Sequence, residues 1–254
     1  MFHYDRIPHK TKFYQRTEVL MLPNRQDAVI YSTLHLHSPS LPVLLKKKDL
    51  RFFPYVLYAC VKTANLHPIL KRFVMGSRFY THRHLWISTV IKSDKSDEDS
   101  NAFVKLNFDK AKLPEDVKAV LDTAIASTRQ GSTRGANGLM NALSLIPSGV
   151  FKLALWIAQR LDNVDLLPNA LLREDPLHTG MIIANLGSIG GEAVHHHLFN
   201  WGTCSMVMTL GTISEDGHVD IGLSVDERIA EGIGFFKAME TFKAILEHPD
   251  EHLF

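Results

Sequence analysis

The chain has 254 residues, with 28 basic and 27 acidic side chains and a formal net charge of +1, a length that suits one large domain or two small ones around a substantial core. Its 45% hydrophobic and 22% charged composition excludes global disorder, and so even a charge argues against a chain whose main task is to coat nucleic acid or an anionic membrane. Cys60 and Cys204 are too few and too far apart for a disulfide framework or a zinc knuckle. The charged start, Asp5-Arg6, and the shortness of the apolar runs, which Pro54 and Lys152 interrupt, predict a soluble cytoplasmic protein.

The first stretch, to about Pro23, is polar and basic, and an N-terminal arm or edge element over residues 1–27 is expected ahead of a core over 28–254. From Ala28 the residues alternate as in a strand, with Val29, Tyr31, Thr33 and His35 on one face. A helix is predicted from Asp49 to about Asn65, where Leu50, Phe53, Leu57, Cys60 and Val61 recur at helical spacing and Pro54 falls in the first turn. Two β segments follow, around Phe73–Tyr80 and Leu85–Lys92, then a polar loop to Ser100 and a third alternating run, Ala102–Phe108.

Pro114-Glu115-Asp116 predicts a helix start, with proline and acids at the positive end of the dipole, and the helix should reach about Thr128. The Gly-, Ser- and Arg-rich stretch Arg129–Gly138, which includes Arg134, is the best linker candidate. Helices over Leu139–Leu145 and Val150–Leu161 are separated by Pro147-Ser148-Gly149. The last third returns to β structure at Met181–Asn185, Ser205–Ile213 and Val219–Ser224, with Glu215-Asp216-Gly217 as a hairpin turn, and closes with an amphipathic helix from about Arg228 to Glu247. This mixed order predicts an α+β fold, with helices packed on a mixed or mostly antiparallel sheet. Gly187-Ser-Ile-Gly190-Gly191 follows a strand but lacks the spacing and the lysine of a nucleotide-binding loop, so a tight turn is expected there.

Two segments resemble the catalytic domain of the dihydrolipoyl acyltransferases of 2-oxoacid dehydrogenase complexes, whose superfamily includes chloramphenicol acetyltransferase. Leu223-Ser-Val-Asp226-Glu227-Arg228-Ile-Ala-Glu231-Gly232 is similar to the family's strand running into Asp-His-Arg-x-x-Asp-Gly, and Met181-Ile-Ile-Ala184-Asn185-Leu186-Gly187 is similar to its Thr-Ile-Ser-Asn-Leu-Gly strand. The likeness runs from roughly Val29 to Leu253; Ala59, Lys62 and His67-Pro68 extend it through the first long helix. It implies a chloramphenicol acetyltransferase-like fold, a homotrimer with the active site at the subunit boundary, possible assembly of trimers into a cage, and acyl-coenzyme A as donor to a hydroxyl or thiol. No metal is expected. No lipoyl domain precedes the core, so a complete dehydrogenase-complex acyltransferase is not expected.

Asp226, Arg228 and Gly232 match the family's loop, and a structural role follows from the resemblance. Glu227 stands where the family has its catalytic histidine, and Glu231 where it has an aspartate. A carboxylate, with an ordinary pKa of about 4.3, is a weak base at neutral pH, and Glu227 can equally be a helix N-terminal charge. Ala184 stands where a serine would donate to the oxyanion, and loss of one such donor costs about a hundred- to a thousand-fold in rate. Ser188 is a candidate replacement, and Asn185, Ser188 and Trp201 are expected toward substrate.

His195-His196-His197 is open to three readings: structural or interface residues, a replacement base (His196 or His197), or a metal site, for which only His195 and His197 would share a strand face. Lys46-Lys47-Lys48 reads as a solvated face or as a contact for coenzyme A phosphates, and Arg129 and Arg134 are open to the same two readings. Phe235, Phe236, Met239 and Phe242 are expected in the core and at a subunit interface. Two functions stay open: an acyltransferase with a rearranged site, and a catalytically silent structural or ligand-binding relative.

Overall fold

The computed structural model describes residues 5–92, 101–129, 147–229 and 232–253. Its centre is a six-stranded mixed sheet in the order β2-β9-β8-β7-β5-β6, built from β2 (Val29–His37), β5 (Trp86–Lys92), β6 (Asn101–Asn107), β7 (Met181–Asn185), β8 (Met206–Leu210) and β9 (His218–Asp226). β5, β7 and β8 run parallel, and the remaining neighbours pair antiparallel. A second, antiparallel sheet orders β1 (Arg6–Pro8), β4 (Arg78–His82) and β3 (Arg72–Met75). The β segment expected around Phe73–Tyr80 is a hairpin, turned by Gly76 and Ser77 at positive φ.

Eight helices are present among the described residues: α1 (Phe13–Met21), α2 (Leu41–Lys47), α3 (Phe52–Leu66), α4 (Pro114–Arg129), α5 (Ser148–Asn163), α6 (Asn169–Glu174), α7 (Gly232–Glu247) and α8 (Asp250–Leu253). The stretch expected as an arm or edge element contains an edge strand, paired with β4, and a helix. α3 begins at Phe52 rather than Asp49, because Asp49 takes φ of +50° and cannot continue a helix. The helix expected over Leu139–Leu145 and the loop over 93–100 lie outside the described residues.

Alternation along the strands sorts the core. Val219, Ile221, Leu223 and Val225 of β9, Met206, Met208 and Leu210 of β8, and Met181 and Ile183 of β7 face α3, α4 and α7 in the main core. Their neighbours Ile182 and Val207 face the opposite side, where Leu198 and Cys204 cover them. That covering segment carries the three histidines. α7 buries Phe235, Met239 and Phe242 in the main core but leaves Phe236 exposed.

Candidate active site

The end of β9 is fixed by buried charge. Asp226 accepts from both Nε and Nη2 of Arg228, each at 2.8 Å, and Arg228 Nη1 donates to the carbonyl of Leu22 at 2.7 Å. Arg25, also buried, lies 3.4 Å from Asp226 and donates to the carbonyls of Phe199, Val74 and Gly202. These bonds join the α1–β2 connection, β3, the histidine-bearing segment and the last strand at one point. Buried charges are tolerated only when paired and bonded in this way.

Between Asp226 and Arg228, Glu227 is half-buried, and its backbone N–H donates to the carbonyl of Ala28 at 2.9 Å. It lines a cleft of about 310 Å³ whose walls include Tyr14, Ile30, Phe235 and Phe236. Glu18 of α1 lines the same cleft. Burial, and then the negative charges of Glu227 and Asp226, raise the pKa of Glu18 above the ordinary carboxylate value. Gly232 completes the cleft at the start of α7, while Glu231 lies outside the described residues.

A second pocket, of about 450 Å³, opens at the carboxyl end of β7 and holds Asn185 and Ser188. The Ser188 hydroxyl donates to the Asn185 carbonyl at 2.8 Å. Gly187 packs so closely on the chain leaving β8 that a Cβ there would lie 2.4 Å from the Gly211 carbonyl oxygen. Phe52, Phe53, Ile91, Leu121 and Ile125 line the interior, and Arg51, Lys92 and Arg129 stand in its wall, with no acidic side chain among the described lining residues; Arg51 Nη2 also lies 3.8 Å from Asp122, outside that lining. Arg51 is the N-cap residue of α3, with no acid in the first turn. A cation there opposes the helix dipole, an arrangement that favours an anion between them. Lys46, Lys47 and Lys48 are not part of this pocket.

The histidines occupy a third place. Residues 192–199 form no strand, so the alternation expected of a strand does not hold, and the rings of His196 and His197 stack at 4.3 Å. The segment is fastened across the sheet by the Val194 N–H donating to Thr209 Oγ1 at 3.1 Å and the His196 N–H donating to Ser224 Oγ at 3.1 Å. His195 Nε2 lies 3.0 Å from the Ser32 carbonyl, so that nitrogen carries the proton, and Thr33 Oγ1 lies 3.1 Å from it. Among the described residues no group of three or more His, Cys, Asp or Glu side chains is arranged to hold a metal. Trp201 also stands apart from the Asn185 pocket, its indole N–H donating to Asp162 at 3.1 Å.

One chain does not bring these groups together. Ala184 pairs with Thr209, which pairs with Gly222, and Glu227 lies five residues further on, just past the end of β9. At about 3.3 Å per residue the offset is roughly 16 Å along the strand direction. Ala184 also faces the side of the sheet opposite to Asn185, because neighbours in a strand alternate.

No protein-family model matches the sequence, and no curated protein matches it. Solved structures do. A probable dihydrolipoamide acetyltransferase from Listeria monocytogenes is 15% identical, with 95% of this chain and 93% of that chain covered and a TM-score of 0.58. The cubic core of a pyruvate dehydrogenase multienzyme complex is 12% identical, with 97% and 94% covered and a TM-score of 0.59. A chloramphenicol acetyltransferase is 12% identical, with 95% and 98% covered and a TM-score of 0.51. This chain has the acyltransferase-core fold.

Within that fold, the cleft at Glu227 offers a carboxylate and apolar walls, and the Asn185 pocket offers an apolar interior with three cations. The first can accept a proton; the second can hold an apolar chain with an anionic head. The sequence reading did not single out Glu18, Arg51 or Lys92. Arg51 had a local signal, a base at a helix start. Glu18 and Lys92 had none, because each gains its meaning from a residue far away in the chain.

Proposed function

We propose that this chain binds an acyl-coenzyme A in the pocket at the end of β7 and transfers the acyl group to a hydroxyl or thiol acceptor, with Glu227 of a second copy as the base. The observation that carries this reading is the set of Arg51, Lys92 and Arg129 around an apolar interior with no acidic side chain among its described lining residues, which complements the phosphates and the apolar arm of such a donor. The offset between Glu227 and the β7 pocket favours a homotrimer in which neighbouring copies complete each site, and a solved neighbour of the same fold forms a cubic core. In the reaction, Glu227 takes the acceptor's proton as the acceptor oxygen or sulfur attacks the thioester carbonyl. The C–S bond then breaks, and the coenzyme A thiolate recovers the proton. With Ala184 unable to donate to the oxyanion, transfer is expected to be slow.

A second reading, binding without turnover, is favoured by Ala184 together with a Ser188 hydroxyl already given to Asn185. Titration calorimetry with acetyl-coenzyme A, beside a thiol-release assay on a panel of acceptors, separates the two. The transfer reading expects binding weakened at least tenfold by Arg51→Gln with Lys92→Gln, and thiol release lost in Glu227→Gln. Binding without release leaves the second reading standing, and no binding removes both. A monomer in solution would overturn the shared site.

A further inference from the structure

A groove of about 650 Å³ between β6, α4 and α6 shares no lining residue with either cleft described above. Lys105 lies in it, half-buried. Its Nζ donates to the Leu172 carbonyl at 2.9 Å and sits 4.7 Å from the centre of the Trp86 ring. β6 pairs with β5 so that Lys105 opposes Ser88 and Asn107 opposes Trp86, which makes Lys105 and Trp86 diagonal neighbours on one face.

Both partners of this ammonium are neutral. The acids in its surroundings are engaged elsewhere: Asp5 with His82 and Asp175 with His178, each at 2.5 Å, and Asp109 with His84 at 2.5 Å. Glu174 is exposed, and Arg173 adds a further positive charge to the groove wall. Burial lowers the Lys105 pKa from 10.5 to about 8, against the opposing pull of Asp5, Asp175 and Glu174. At neutral pH an appreciable fraction of the amine is therefore unprotonated, whereas an exposed lysine is neutral in only about one molecule in a thousand. A neutral amine can keep one N–H on Leu172 and another over the Trp86 ring, and turn its lone pair to the open groove.

We infer that Lys105 is a covalent acceptor site, acylated at Nζ by acyl thioesters. The amine nitrogen attacks the thioester carbonyl, the N–C bond forms, the C–S bond breaks, and the leaving thiolate takes the amine's proton. The product is an amide and a free thiol, with no change of oxidation state. Acylation removes the positive charge over Trp86 and weakens the bond that ties β6 to the end of α6. This inference does not depend on the pocket at β7, because the thioester reaches Lys105 from solution.

The full chain is incubated with acetyl-coenzyme A between about pH 6.5 and 10, and site occupancy is followed by peptide mass spectrometry, with the exposed Lys110 and Lys237 as internal references. Acetic anhydride serves as a second, small reagent. Lys105 is expected to acetylate at least tenfold faster than the references at about pH 7.5. Its rate should level off above about pH 8. A Lys105 rate no greater than the references, or one without the plateau, overturns the inference. Reaction with acetic anhydride but not with acetyl-coenzyme A overturns the thioester assignment. Neither result bears on binding at the β7 pocket, which calorimetry reads separately.

Discussion

Arg228 holds Asp226 from two residues along the chain, through two parallel bonds of 2.8 Å between fully buried groups. The residue between them, Glu227, lines the cleft beside α1. The same guanidinium reaches the Leu22 carbonyl, so the end of the last strand and the chain leaving α1 are set by one contact. The loop's shape thus rests on the pair.

Asp226→Asn leaves Arg228 and Arg25 buried with their shared counter-charge gone. The expected cost is about 3–5 kcal/mol, the usual penalty for breaking a buried pair by removing one partner. Urea unfolding measures it, and a loss under 1 kcal/mol would show that the cluster does not fix the fold.

His178 bridges Asp162 at 2.8 Å and Asp175 at 2.5 Å, and Arg6 also pairs with Asp162. Burial alone would lower the His178 pKa, but its bonds to the two carboxylates raise it. Burial likewise opposes the Asp162 charge, yet His178 and Arg6 hold that carboxyl down to about 2. The histidine's contribution is complete below its unfolded value of about 6.5 and fades as pH rises through its raised folded value. The aspartate's contribution is complete above about 4 and fades as pH falls toward 2. His178→Gln is therefore expected to destabilise most between about pH 4 and 6.5, and less at about pH 8.5. Melting curves of both proteins across that range check the sign.

Gly222 faces the histidine segment at a distance that admits no side chain: a Cβ would lie 2.4 Å from the Val194 carbonyl oxygen and 2.7 Å from Thr209 Oγ1. Gly222→Ala is expected to cost about 1–3 kcal/mol, as overpacking does, and to lift residues 194–197 from the sheet. Hydrogen exchange at the His196 amide, protected in the wild type by Ser224 Oγ, should then accelerate.

Glu18 carries a raised pKa through burial and the charges of Glu227 and Asp226. A carboxyl whose folded pKa is raised weakens the fold once ionised, and that penalty disappears as pH falls below its unfolded value. Glu18→Gln is expected to stabilise by about 0.5 kcal/mol at neutral pH, because the site is solvent-screened, and by nothing at about pH 3.5. Equal gains at both values would exclude charge as the cause.

Periodicity in the sequence placed most of the long elements, because alternation over Val29–His37 and helical spacing over Phe52–Leu66 and Gly232–Glu247 are local properties of the chain. The two family-like segments likewise indicated the acyltransferase-core fold. What the sequence could not supply was proximity. α1 looked like part of a polar arm until its Glu18 met Glu227 in one cleft. Arg51, Lys92 and Arg129 sit in three separate stretches and became one cationic rim only through the packing of α3 and α4 on the sheet. The histidines read as a strand pattern, yet no neighbouring strand pairs with them, and side-chain bonds to Ser224, Thr209 and Thr33 decide their course. Local spacing determines which elements form, because backbone geometry repeats within a few residues. Which charges meet, which are buried and which pockets open depends on contacts between separate elements of the chain, and those the tertiary structure alone decided.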